Sequence, residues 1–343
     1  MRRKSHLRAV LALAGVLISA SYVWSQVRAR VDLVVVSVNV RDGKGNLVTG
    51  LTKSDFLVAE DRKPQAISYF SVDPIPLSAA IVIDDGIGGA SLRRLVPLMQ
   101  TMTSGFAPED EMIAFRYDHL VWKLSEFTND PAAIQKAFHE IPEIAEGRPA
   151  LGEPGQPSEW LGAIVGRVTI GSNGAPKPVP TAADPPKRPP TSRLLHDAIY
   201  EAADQLRTRS EDRRKIILLV SDGQVRGSNK HSRDKNIDFL TQNGIQVYAI
   251  PVDFALYEGN VGVMNAYARA TGGDVFSGDT TKDMERAFNR IIEQARNQYV
   301  LGYVSGNKPG KVGGIYRDID VKATRSDVKV THRKGYVQYP IAN

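Results

Sequence analysis

With 343 residues, of which 42% are hydrophobic and 24% charged, the chain is long enough to bury a large core and is expected to hold two compact units. The absence of cysteine excludes disulfides, thiolate metal sites, cysteine nucleophiles and lipid attachment at an N-terminal cysteine. The formal charge of +6 comes from 44 Lys and Arg against 38 Asp and Glu, but Arg2, Arg3, Lys4 and Arg8 lie in the first 25 residues, leaving 40 against 38, so no nucleic-acid partner is expected.

Residues 1–25 read as an export signal. The basic start is followed by an apolar run from Ala9 to Ala20, and Val23-Trp24-Ser25 suits cleavage. That run is shorter than the ~20 residues that cross a bilayer. No later run is long enough, which predicts an exported chain, periplasmic or extracellular, with no transmembrane segment beyond the signal.

Residues 30–73 read as a β segment. Val34, Val36, Val38 and Val40 share one phase, Asp42–Asn46 supplies turn residues, and a second run follows at Leu47-Val48. Thr52–Asp55 has the pattern of a capped single turn before Phe56–Ala59, and Ile67–Phe70 closes the segment. Residues 298–338 have the same character, with short strands at Tyr299–Tyr303, Tyr316–Val321, Asp327–Val330 and Gly335–Val337. Neither flank has enough strands for a sandwich alone, so the two are expected to pair into one small β-rich unit with the middle of the chain inserted between them.

The middle, residues 77–297, alternates strands and helices. Leu77–Ile83 is a strand, a helix is expected from Ser91, and Glu111–Tyr117 and His119–Phe127 read as adjacent strands. Asn129-Asp130-Pro131 opens a helix. Leu195, Ala198, Ile199, Ala202 and Leu206 mark one helical face, as do Met284, Ala287, Phe288, Ile291 and Ala295. Lys215–Val220 and Ile245–Val252 are strands with a helix near Ile237–Thr241 between them, and Gly272-Gly273 stops another helix. This alternation predicts a three-layer, Rossmann-like α/β domain with a mostly parallel central sheet. One segment, 142–190, holds 11 of the chain's 20 prolines and reads as an insertion loop.

Two apolar strands end in acidic turns: Leu77–Ile83 runs into Asp84-Asp85-Gly86, and Ile216–Val220 into Ser221-Asp222-Gly223. In a parallel sheet both turns open on the carboxyl edge, where ligands bind. Two carboxylates gathered there repel unless a cation or a partner's charge lies between them.

The order of strand–Asp84, Leu195-His196-Asp197-Ala198, Leu219–Gly223 and Ala270–Gly273 resembles the von Willebrand factor A domain. The flanks, through Gly50–Phe56, Tyr299–Tyr303 and Arg333–Tyr336, resemble the exported version of that domain common in acidobacteria. The resemblance spans roughly residues 30 to 338. It implies a metal-ion-dependent adhesion site for Mg²⁺, patterned Asp-x-Ser-x-Ser, then a Thr, then an Asp. Asp84 and Asp222 match the two acids, Gly86 and Gly88 stand where the serines belong, and Arg193 falls at the threonine, with Thr191 and Ser192 displaced by one or two positions. The resemblance therefore implies a degenerate site in which Asp84, Asp222 and Thr191 hold Mg²⁺ weakly. Alternatively, Arg193 neutralises the two acids as an internal cation, or the acids merely cap turn amides.

Val82–Ile87 also resembles the aspartate segment of subtilisin-type proteases, but none of the six histidines has the context of such a site, and neither a Gly-x-Ser-x-Gly turn nor a His-Glu-x-x-His site occurs. The expected function is non-enzymatic recognition of a protein or cell-surface ligand by an edge made of Asp84, Asp85, Gly86, Gly88, Thr191, Ser192, Arg193 and Asp222. A structural component of a cell-envelope assembly with an inert edge is the alternative, and a hydrolase the third.

Overall fold

The computed structural model describes residues 33–87, 103, 105–146, 168–170, 176–178, 193–252, 261–276, 280–310 and 312–340, without the side chains of 140–146, 168–170 and 176–178. All but Leu33 belong to one compact unit, Val34–Asn343. The export signal, the helix expected from Ser91, and Gly88, Thr191 and Ser192 lie outside the described residues.

In chain order the strands are β1 (Leu33–Asp42), β2 (Phe56–Glu60), β3 (Lys63–Gln65), β4 (Ile67–Ser71), β5 (Leu77–Asp84), β6 (Glu111–Tyr117), β7 (Val121–Lys123), β8 (Val168–Ile170), β9 (Pro176–Pro178), β10 (Arg214–Ser221), β11 (Ile245–Pro251), β12 (Tyr299–Val304), β13 (Ile315–Ala323), β14 (Val328–His332) and β15 (Gly335–Gln338). The helices are α1 (Pro131–Glu146), α2 (Leu195–Arg207), α3 (Arg233–Gln242), α4 (Val261–Thr271) and α5 (Thr281–Arg296).

The central sheet has the order β11-β10-β5-β6-β7. The first four strands run parallel and β7 closes the edge antiparallel to β6. Every residue of β5 and of β10 is buried, because helices cover both faces. Alternation along the strands sorts the core into two layers. Leu77, Ala79, Ile81 and Ile83 pack with Ile216, Leu218 and Val220 under α1 and α5. Ala80, Val82, Ile217 and Leu219 pack under α2, with Leu240 of α3 and Met264 and Tyr267 of α4. The predicted faces of α2 and α5 are the buried ones. The helix ends follow from capping chemistry: the Ser232 and Thr280 hydroxyls accept the backbone N–H of Lys235 and Asp283.

The strand expected over His119–Phe127 shrinks to Val121–Lys123. Beyond it the Ser125 hydroxyl accepts the Ala114 N–H, and past Ser125 backbone pairing resumes only as the Met112–Thr128 bridge. Likewise Leu47-Val48 makes only a bridge to Arg41, next to the Val48 N–H bond to Val40 O. Helix α1 runs through Pro142 to Glu146, past the expected start of the insertion, and β8 pairs with β9 further along it.

Strands from the two ends of the unit pair with each other. One sheet has the order β14-β1-β12-β4 and another the order β15-β13-β2-β3. They enclose a third core containing Val34, Val36, Val38, Val40, Phe56, Val58, Leu301 and Tyr303. Tyr299 fastens it: its ring lies 5.1 Å from Phe56, and its hydroxyl accepts Leu51 N–H (3.1 Å) and donates to Val48 O (2.8 Å).

A pH dependence follows from His332 on β14. The ring is buried, its Nε2 accepts the Val321 N–H at 3.1 Å, and Nδ1 faces Arg333 O at 2.7 Å, which fixes a neutral ring with the proton on Nδ1. Burial lowers its pKa below the usual imidazole value, and burial does the same to His196. The unfolded chain therefore takes up protons first, so stability is full above about pH 6.5 and is lost as pH falls from there towards the lowered folded values. Thermal melts between about pH 8 and pH 5 are expected to show this fall, and His332→Gln to flatten it in part.

Candidate functional site

The parallel register sets three strand ends side by side. Ile83 lies opposite Val220, and Asp84 opposite Tyr117. Asp84 therefore emerges between Tyr117 and Ser221 at the carboxyl edge and is fully buried. Its Oδ2 accepts from the Tyr117 hydroxyl and from Ser221 Oγ, each at 3.2 Å, and its Oδ1 accepts the Gly86 N–H at 3.0 Å. The two hydroxyls are 2.7 Å apart, and Ser221 Oγ also accepts the Gly223 N–H at 2.9 Å. Asp222, one residue beyond the ladder, is also buried and accepts the Gln224 N–H at 2.9 Å.

Arg193 enters from the segment before α2. Its backbone N–H donates to Arg226 O (2.9 Å), and its carbonyl accepts from Arg226 N (3.3 Å) and Asn229 Nδ2 (3.3 Å), tying it to the loop after Asp222. The side chain reaches across the edge so that Nε lies 3.8 Å from Asp84 Oδ1, while Nη2 donates to Gly86 O. A Cβ placed on Gly86 would lie 2.4 Å from Arg193 Cζ and 2.6 Å from Nη1. Glycine at 86 and arginine at 193 therefore interlock.

The second acid of the turn has its own arginine. Arg116 Nη1 donates to Asp85 Oδ2 at 2.5 Å, and the guanidinium carbon sits 3.8 Å from the centre of the Trp122 ring. Stacking and ion pairing both favour Arg here, because its planar cation is weakly hydrated. Trp122, half-buried on β7, forms the outer wall with His119 edge-on at 5.7 Å.

Burial pushes the Asp84 carboxyl well above the usual carboxylate range. The Asp222 charge beside it pushes the same way, and Arg193 opposes both. The Tyr117 hydroxyl is likewise raised, first by burial and then by the Asp84 charge. The edge is thus a place where negative charge is costly and a fixed cation limits the cost.

Of the residues that the sequence singles out, Asp84, Asp85, Gly86, Arg193 and Asp222 stand together at this edge. Gly88, Thr191 and Ser192 lie outside the described residues. Sequence reasoning missed Tyr117, Ser221, Arg116 and Trp122. No sequence signal marked Tyr117, whose role follows from the pairing of its strand with β5.

Magnesium requires about six oxygens in a tight octahedron. Among the described residues, no three acidic or histidine side chains gather closely enough to hold a metal ion. The oxygens of Asp84 are engaged by two hydroxyls and an amide, and a guanidinium fills the space beside Gly86. The described residues do not fit the metal.

No protein-family model and no curated protein matches the chain. Solved structures similar to it include a von Willebrand factor type A protein from Catenulispora acidiphila, at 8% identity and TM-score 0.44, covering 91% of this chain and 74% of that one. The manganese-loaded TRAP protein of Plasmodium vivax is similar at 11% identity and TM-score 0.41, covering 82% and 98%. The conserved hypothetical protein BatB from Bacteroides thetaiotaomicron is similar at 12% identity and TM-score 0.42, covering 64% and 98%. At these identities and TM-scores none of the likenesses says what this chain binds or does.

Proposed function

We propose that this chain, whose fold is of the von Willebrand A type, is an exported, non-enzymatic interaction module that recognises a protein or cell-surface ligand at the carboxyl edge of its central sheet. The observation that carries this reading is the gathering of Asp84, Asp85, Asp222, Arg193, Arg116 and Trp122 at the edge where ligands of such sheets bind. The basic, then apolar, first 25 residues support export. Among the described residues no helix is long and apolar enough to cross a membrane.

A hydrolytic role has little to work with. Ser221 is fully buried, and its hydroxyl is engaged with Tyr117, Asp84 and Gly223. His196 bonds to Tyr267, and His231 to Asp197.

The exposed rim beside the buried acids is the loop after Asp222, where Val225 and Arg226 are open to solvent. Val225→Glu combined with Arg226→Glu should leave the melting temperature unchanged. The pair should weaken capture of a partner from envelope extracts about tenfold or more. An unchanged set of captured proteins would favour the scaffold with an inert edge.

A further inference from the structure

We propose that Arg193 is the resident cation of this edge, holding the Asp84–Asp222 pair from within the chain and closing the site to divalent metal. For recognition, the proposal rests on the reading above. As a statement about the site, it stands without a partner.

Two departures from the pattern that the sequence resembles become one. The serine expected at 86 is absent because the guanidinium occupies its volume: Cζ, Nη1 and Nε would lie 2.4, 2.6 and 2.7 Å from a Cβ there. The threonine expected on the facing loop is absent because position 193 supplies that guanidinium. A side chain at 86 and the guanidinium in its present position cannot coexist, so a serine there requires Arg193 to give up its place against Gly86 O.

Charge and position point the same way. A guanidinium carries only donors and no lone pair, so it offers a metal ion nothing to bind. Arg193 is held at the backbone by Arg226 and Asn229, and its Nη2 is held by Gly86 O, so the cation is fixed where it stands. The neighbouring Asp85 is balanced in the same manner by Arg116. An ion of charge +2 entering between them would meet two fixed guanidinium groups. A partner's carboxylate, by contrast, would meet donors that need no metal to bridge them.

The test uses the intact exported chain without any partner, so its failure is separable from failure of the recognition reading. Wild type is titrated with millimolar Mg²⁺ and Mn²⁺ by calorimetry and melted with and without EDTA. No saturable heat and no change in melting temperature are expected. Arg193→Ser is expected to melt ~5 °C or more lower, because two buried acids lose their counter-charge. Gly86→Ser with Arg193→Ser is expected to gain saturable Mg²⁺ binding that raises its melting temperature. Saturable Mg²⁺ binding by wild type would overturn the proposal, as would an Arg193→Ser protein that melts with wild type. The wild-type titration keeps the proposal open to refutation even if a variant does not fold.

Discussion

Gly273→Ala is expected to cost about 4 kcal/mol or more, a large fraction of the about 5–15 kcal/mol by which domains are stable, and to lower the melting temperature clearly. A Cβ at this position would stand 2.0 Å from Val247 O and 2.7 Å from Val247 C. Both atoms are backbone in the middle of β11, so no rotamer change relieves the clash. The strand would have to leave the sheet or α4 would have to withdraw from it. The preceding Gly272 has φ +81° and would carry its Cβ to 2.7 Å from Arg333 N, so the two glycines allow three backbone segments to meet. Circular-dichroism melts decide the matter, with Gly262→Ala as the control: among the described residues nothing lies within 4 Å of a Cβ there, and its stability should be unchanged or slightly raised. A Gly273→Ala protein that melts with wild type would show that β11 yields more easily than its hydrogen bonds suggest.

Glu60→Ala is expected to remove about 3 kcal/mol or more. Glu60 ends β2 with no exposed surface. Its Oε2 accepts from the Tyr303 and Tyr336 hydroxyls at 2.8 and 3.1 Å, and its Oε1 from Ser305 Oγ and Asn307 Nδ2 at 2.5 and 2.6 Å. Truncation strands the buried Tyr303 hydroxyl and takes an acceptor from three half-buried donors, of which Asn307 Nδ2 keeps Asp61 Oδ2 at 3.3 Å, and stranding a buried donor costs more than its bond contributes. Glu60→Gln should fall between the two, since its carbonyl keeps two donors and the hydroxyls can turn to accept from its amide. Urea unfolding monitored by tyrosine fluorescence gives the order. Equal midpoints for wild type and Glu60→Ala would refute it.

The two predictions touch residues of very different legibility. Gly272-Gly273 was visible as a helix stop, and glycine at such a stop has a backbone reason; that Gly273 also abuts Val247 was not visible, because the contact crosses from α4 to β11. The α/β core was legible because helices on both faces make the centres of β5 (Ala79–Ile83) and β10 (Ile216–Val220) continuously apolar, and because α2 and α5 carry clean stripes. The β2–β3 hairpin was not. Its turn places Asp61 and Arg62 at φ 48° and 66°, where a glycine or asparagine would have signalled it. Asp61 holds that conformation through Arg317 and the Asp318 N–H, contacts that come from β13.

At the site, the strand-end acids announced themselves through the acidic-glycine turns. The identity of Arg193 was readable as well, but the reason for Gly86 was not, since it depends on where a side chain 107 positions later comes to rest. Tyr117 and Ser221 were invisible for a similar reason: only strand order converts them into neighbours of Asp84. The motifs quoted from the flanks prove to be contacts. Tyr299 closes on Leu51 and Phe56, and Tyr336 reaches Glu60.

The pairing of β1 with β14 sets a schedule for synthesis. Val38 finds its partner only when His332 is made, and β12, its other neighbour, arrives only shortly before. Residues 33–42 therefore leave the ribosome as an unmatched apolar ribbon and stay so while the whole α/β body is translated. Such a ribbon invites pairing with another nascent chain, so the risk of association is greatest before the last strands emerge.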